Sequence, residues 1–137
     1  MSHPDRQGCR LPLCAIVIGL WAMVPPYLVL FGKLEVRSLV EFVDHVLPGG
    51  VVVAVGVVVF VRLRAARPEP LLLLVAGGVI TLAGFWMLAT HVGLISQTRQ
   101  GFVPGGAVVW HGLPGLAVTL LGVLWTVRFW DTDEPDR

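Results

Sequence analysis

This sequence is short of charge. Asp, Glu, Lys and Arg make up 14% of its 137 residues, against about 25% in an ordinary soluble domain. The net charge is only +1, so the diffuse basic footprint of a nucleic-acid binder is missing. Cysteine is scarce too. Cys9 and Cys14 lack the C-x-x-C spacing of a redox pair and cannot build a structural zinc site alone. They read as two small apolar residues at the end of a membrane helix.

Other absences narrow the chemistry. No acidic or basic side chain falls within the apolar runs, apart from arginines at their ends. Proton- and ion-coupled transporters usually need such a group inside the membrane, so that class is disfavoured, four-helix multidrug exporters included. The Pro-Gly-Gly turns at 48–50 and 104–106 are not followed by Lys-Ser or Lys-Thr, so they are not phosphate loops. No Ser–His–Asp set shares a plausible depth.

What is abundant is oil. Leu71–Thr90 holds no charge over 20 residues, and a helix of about that length crosses the ~30 Å hydrocarbon core of a bilayer. A helix apolar on every face has no place on the surface of a small soluble domain. The pattern predicts an all-α membrane protein of four transmembrane helices, arranged as two helical hairpins. The expected spans are 11–31, 47–63, 71–93 and 105–128, between an N-tail at 1–10 and a C-tail at 131–137.

Local signals refine this. Pro25-Pro26 should kink or end the first span near Val24. Segment 36–47 is polar on one side and apolar on the other, and Ser38 and Glu41 have the form of a capping box. It is expected to lie along the interface as a short helix, with a plain loop as the alternative. Val51–Val61 has strand-forming composition. A lone strand cannot cross lipid with its backbone unpaired, so a helix is expected, with Pro48 in its first turn. Ser96–Phe102 reads as a polar connection, and Pro114 should kink or locally unwind the fourth span. Trp125, Phe129 and Trp130 beside Arg128 have the look of an interfacial aromatic belt.

The basic residues set an orientation. Arg6, Arg10, Arg62, Arg64, Arg67, Arg128 and Arg137 fall on one side, and Lys33, Arg37 and Arg99 on the other. The positive-inside rule then puts both termini in the cytoplasm. The compact Ala/Arg/Val/Gly vocabulary points to a bacterial plasma membrane.

The halves also resemble each other. Pro48–Gly56 matches Pro104–Gly112, Gly19-Leu20-Trp21 matches Gly84-Phe85-Trp86, and Val61-Arg62-Leu63 matches Val127-Arg128-Phe129, in the same order. That order suggests two parallel hairpin repeats.

Small residues and histidines are the candidate functional positions. Gly77, Thr81 and Gly84 share one face of the third span, and Gly115, Thr119 and Gly122 one face of the fourth. Gly50 and Ala54 offer a shorter face on the second. Close approach at small residues holds helices together in lipid, either within the bundle or between subunits. His91 and His111 extend these stripes at opposite ends of one loop, and His45 lies on the same side. Imidazoles at one depth are candidates for a haem, held axially by His91 and His111, or for a metal, although no tight ligand motif is present. The leading functional reading is a non-catalytic accessory or scaffolding subunit, partnered by lipid and by other membrane subunits or its own copies. A haem- or quinone-binding anchor and a small-solute channel or uncoupled transporter are the alternatives.

Overall fold

A computed structural model describes residues 10–23, 42–65, 69–101 and 105–130, with the side chains of 42, 94, 95, 97, 98 and 105–111 outside that description. Among the described residues every regular element is helical. They are α1 (Arg10–Met23), a π-helical turn (Phe42–Val46), α2 (Leu47–Ala65), α3 (Pro70–Thr90), α4 (Val92–Arg99) and α5 (Gly105–Trp130). Val43–Ala65, Pro70–Thr90 and Gly112–Trp130 are long and apolar enough to cross a membrane, and α1 is a shorter apolar helix. The architecture is therefore that of a four-helix, all-α membrane protein.

The valine run is helical throughout, as the cost of unpaired strand backbone in lipid requires. Pro48 sits in the first turn of α2. It cannot donate to the carbonyl of residue 44, and its ring crowds that turn. The wider π-helical turn just before it accommodates both defects. The described end of the expected interfacial segment thus runs straight into α2. Pro25-Pro26 and the Ser38–Glu41 capping box lie outside the described residues.

At the far end of α3 the helix tightens. The His91 amide bonds the Leu88 carbonyl at 3.1 Å, and His91 caps the helix with φ −93° and ψ −2°. α4 then takes up Ser96–Arg99, part of the stretch 96–102 that the sequence suggests as a polar connection. Gly101 follows with φ 78°, a left-handed conformation that suits glycine. Pro114 does not interrupt α5. The residues of the expected aromatic belt differ in their surroundings. Trp125 is fully buried in the bundle, Phe129 is partly buried against the core, and Trp130 is exposed.

The four apolar helices form two hairpins, α1 with α2 and α3 with α5, and the hairpins meet through α2 against α3 and α1 against α5. Their buried positions repeat. Pro12, Ala15, Gly19 and Ala22 of α1 correspond, 65 residues on, to Gly77, Ile80, Gly84 and Met87 of α3. Pro48, Gly49, Val52, Gly56 and Val59 of α2 correspond, 66 residues on, to Pro114, Gly115, Val118, Gly122 and Trp125 of α5. In that register 45–63 and 111–129 share 9 of 19 residues, beginning His-x-Leu-Pro-Gly in both. The repeat unit is therefore anchored on Pro48 and Pro114, and the match of Pro48 to Pro104 is a register error. Both true counterparts are buried prolines followed by a glycine that packs on the partner helix.

Candidate functional site

The closest helix contacts are built at glycines. In the second hairpin they pair antiparallel with threonines. A Cβ added to Gly84 would lie 2.8 Å from Thr119 Cα, and one added to Gly122 would lie 2.8 Å from Thr81 Cα. A Cβ on Gly77 would press on Thr126, 3.1 Å from its backbone nitrogen, and one on Gly115 would lie 3.1 Å from the Leu88 nitrogen. The obstacles are mainly backbone, which cannot swing aside. The hydroxyls do not bridge the helices through these bonds: Thr81 donates to the Gly77 carbonyl at 2.8 Å, Thr119 to Gly115 at 2.8 Å and Thr126 to Gly122 at 2.9 Å. Each hydroxyl is thereby satisfied in its own helix, leaving van der Waals contact to join the pair.

The first hairpin uses the same device at positions the sequence does not flag. A Cβ on Gly19 would lie 2.9 Å from the Gly49 carbonyl oxygen, and one on Gly49 equally close to the Gly19 oxygen. Gly56 faces Pro12, Ala15 and Ile16. Gly50 has nothing within 4 Å and Ala54 is exposed. The packing face of α2 is accordingly Gly49–Gly56, one position away from the Gly50–Ala54 face expected from spacing. The His-x-Leu-Pro-Gly repeat is the signal that would have found it.

Histidine chemistry gathers at one end of the bundle. The π-helical turn turns His45 inward, and the cap of α3 does the same for His91; they are 1% and 8% exposed. Their Nε2 atoms lie 3.1 Å apart, and the rings are tilted by 57° with centroids 4.8 Å apart. His91 Nδ1 is at hydrogen-bond distance from the Met87 carbonyl, and Thr90 Oγ1 lies 3.2 Å from the same nitrogen. A carbonyl only accepts, so the His91–Met87 bond places a proton on Nδ1 and leaves a lone pair on Nε2. In the absence of anything between them, His45 Nε2 then donates to His91 Nε2. This bond joins α2 of one hairpin to α3 of the other.

His111 is on α5, at the position matching His45 in the repeat, and its side chain is outside the described residues. The structure thus brings His91 to His45. The axial pairing of His91 with His111 expected for a haem involves a side chain outside the described residues. Among the described residues no three of His, Cys, Asp and Glu converge as metal ligands. Cys14 is exposed on α1.

The chain matches no family model, and neither a curated protein nor a solved structure is detectably similar to it.

Proposed function

We propose that this chain is a non-catalytic integral membrane subunit that works by packing against other membrane proteins, as an accessory or scaffolding component. One observation carries this reading. The glycines that meet another helix at close range, Gly19, Gly49 and Gly56 in one hairpin and Gly77, Gly84, Gly115 and Gly122 in the other, are spent within the bundle, while Gly50, Gly78 and Gly112 stay open on its outside. The exterior is left as broad apolar ridges. On α3 these include Leu82, Phe85 and Trp86, which are 69%, 62% and 50% exposed, and on α5 Leu120, Leu124 and Val127. Such a surface suits lipid and the flanks of neighbouring helices. On this reading the termini face the cytoplasm across a bacterial plasma membrane, following the seven arginines on that side.

Purification of the tagged chain from its native membrane in mild detergent tests the proposal. Recovery with stoichiometric membrane partners, or as a defined self-associated species, is the expected result. Recovery solely as a free monomer overturns it. Labelling of a terminal tag from outside intact cells would overturn the orientation.

A further inference from the structure

We propose that His45 and His91 form a binding site for a late first-row divalent metal ion of the zinc class, which clamps the two hairpins together. The geometry of the pair carries the inference. Zinc–imidazole bonds are about 2.0–2.1 Å long, so two nitrogens on one tetrahedral ion stand about 3.3 Å apart. The observed Nε2 separation is 3.1 Å, with the rings tilted by 57° to one another. A shift of a few tenths of an ångström admits the ion.

The surroundings of His91 are those of a prepared ligand. Its Nδ1 donates to a backbone carbonyl, the arrangement that fixes the tautomer and aims the Nε2 lone pair in metal-bound histidines. His91 also caps α3, where the carbonyl ends of the helix make the local potential negative. The last turn of α3 carries no basic side chain to neutralise it. A dication placed between the rings is favoured by that field. The two histidines supply two coordination positions.

The pairing also explains an asymmetry of the repeat. His45 and His111 are equivalent, but the counterpart of His91, 65 residues earlier, is Pro26, which cannot ligate. The second hairpin thus carries, besides His111, an imidazole that has no counterpart in the first.

Cobalt is the probe of choice, because its visible bands report coordination by nitrogen. The full chain, purified in detergent and stripped with chelator, is titrated with Co2+ and then with Zn2+ in competition. The expected result is one Co2+ per chain with ligand-field absorption in the visible, displaced by Zn2+. His45→Gln and His91→Gln, which keep a hydrogen-bonding side chain but ligate poorly, should each weaken binding at least tenfold. Equal binding by wild type and both variants would make the ion adventitious and overturn the site. No binding by wild type would leave the pair as a hydrogen bond and also overturn it. Should a glutamine variant fail to fold, the melting temperature of the wild-type chain decides: Zn2+ should raise it, and an unchanged value rejects the clamp. This result is independent of whether the chain travels with partner subunits.

Discussion

The two hairpins use one template with different side chains. At the tightest crossing of the first, Gly19 meets Val53 and Gly56 meets Ile16; at the same places in the second, Gly84 meets Thr119 and Gly122 meets Thr81. Position 59 is valine and its counterpart 125 is tryptophan, and both are buried to within 1%. At the crossings themselves the two hairpins share their glycines, Gly19 with Gly84, Gly49 with Gly115 and Gly56 with Gly122, and the proline before the second of these pairs. In a membrane, water does not drive helices together, so the geometry of approach is what a duplicated hairpin must keep. The residues that fill the remaining space can drift.

The comparison is broken most severely by filling a crossing. Gly84→Leu sets a bulky side chain against the Thr119 backbone, and the cost should exceed about 3 kcal/mol, beyond the usual range for overpacking. Leu82→Ala, two residues away on a side chain 69% exposed, should cost far less. Unfolding of the two variants in mixed detergent micelles, followed by helical circular dichroism, measures the difference. Equal losses would mean that the glycine crossing does not hold α3 to α5.

Neighbouring glycines in α2 give a finer contrast. A Cβ on Gly49 meets the Gly19 carbonyl at 2.9 Å, whereas one on Gly50 meets nothing within 4 Å. Gly49→Ala should destabilise by about 1–3 kcal/mol. Gly50→Ala should be neutral or stabilise by up to about 1 kcal/mol, since alanine is the better helix former. A reversal of that order in the same micelle assay would move the packing face back to the Gly50–Ala54 side.

Residue spacing alone does not choose between those two faces of α2. The spans were legible because depletion of charge over about 20 residues has one cheap explanation, and the stripes of α3 and α5 were legible because glycine and threonine recur there at helical spacing. The face of α2 was not legible from spacing, because Gly49 and Gly50 are adjacent and both fit a small-residue spacing; the match of Gly49 to Gly115 and of Gly50 to Leu116 is what distinguishes them. The repeat was visible but misaligned, since Pro-Gly-Gly at 104–106 imitates 48–50 more closely than the true match at 114–116 does. Trp125 reads as a belt residue from its neighbours, whereas the space over Gly77 draws it inward, where a Gly77 Cβ would lie 3.2 Å from its ring. For the histidines, depth was readable and pairing was not. His45 faces His91 because the π-helical turn before Pro48 rotates it toward α3, a rotation with no counterpart in residue spacing.

The histidine link is the next effect in size. His45→Ala removes the Nε2–Nε2 bond and the ring that fills the junction of α2 and α3, at a cost of about 1–3 kcal/mol in metal-free protein. Because the bond joins the hairpins and not the helices within one, the loss should appear between them. Cross-linking of cysteines introduced in α2 and α3 should become less efficient, while cross-linking of α3 to α5 is unchanged. Loss of both together would make His45 a general core residue.

The smallest effect tests what the threonines contribute. Thr119 occupies the place of Val53, has nearly the same shape, and spends its hydroxyl on the Gly115 carbonyl of its own helix at 2.8 Å. If both hairpins are held by contact alone, Thr119→Val replaces one repeat's residue with the other's and should cost less than about 1 kcal/mol, near the average for a polar side chain in a membrane bundle. The freed carbonyl keeps its backbone partner one turn on, so no buried acceptor is stranded. A loss above about 2 kcal/mol in micelle unfolding would show that the hydroxyl reaches across to α3. The two hairpins would then share a shape but not a cohesive force, and the second would rely on a polar contact that the valine-built copy does without.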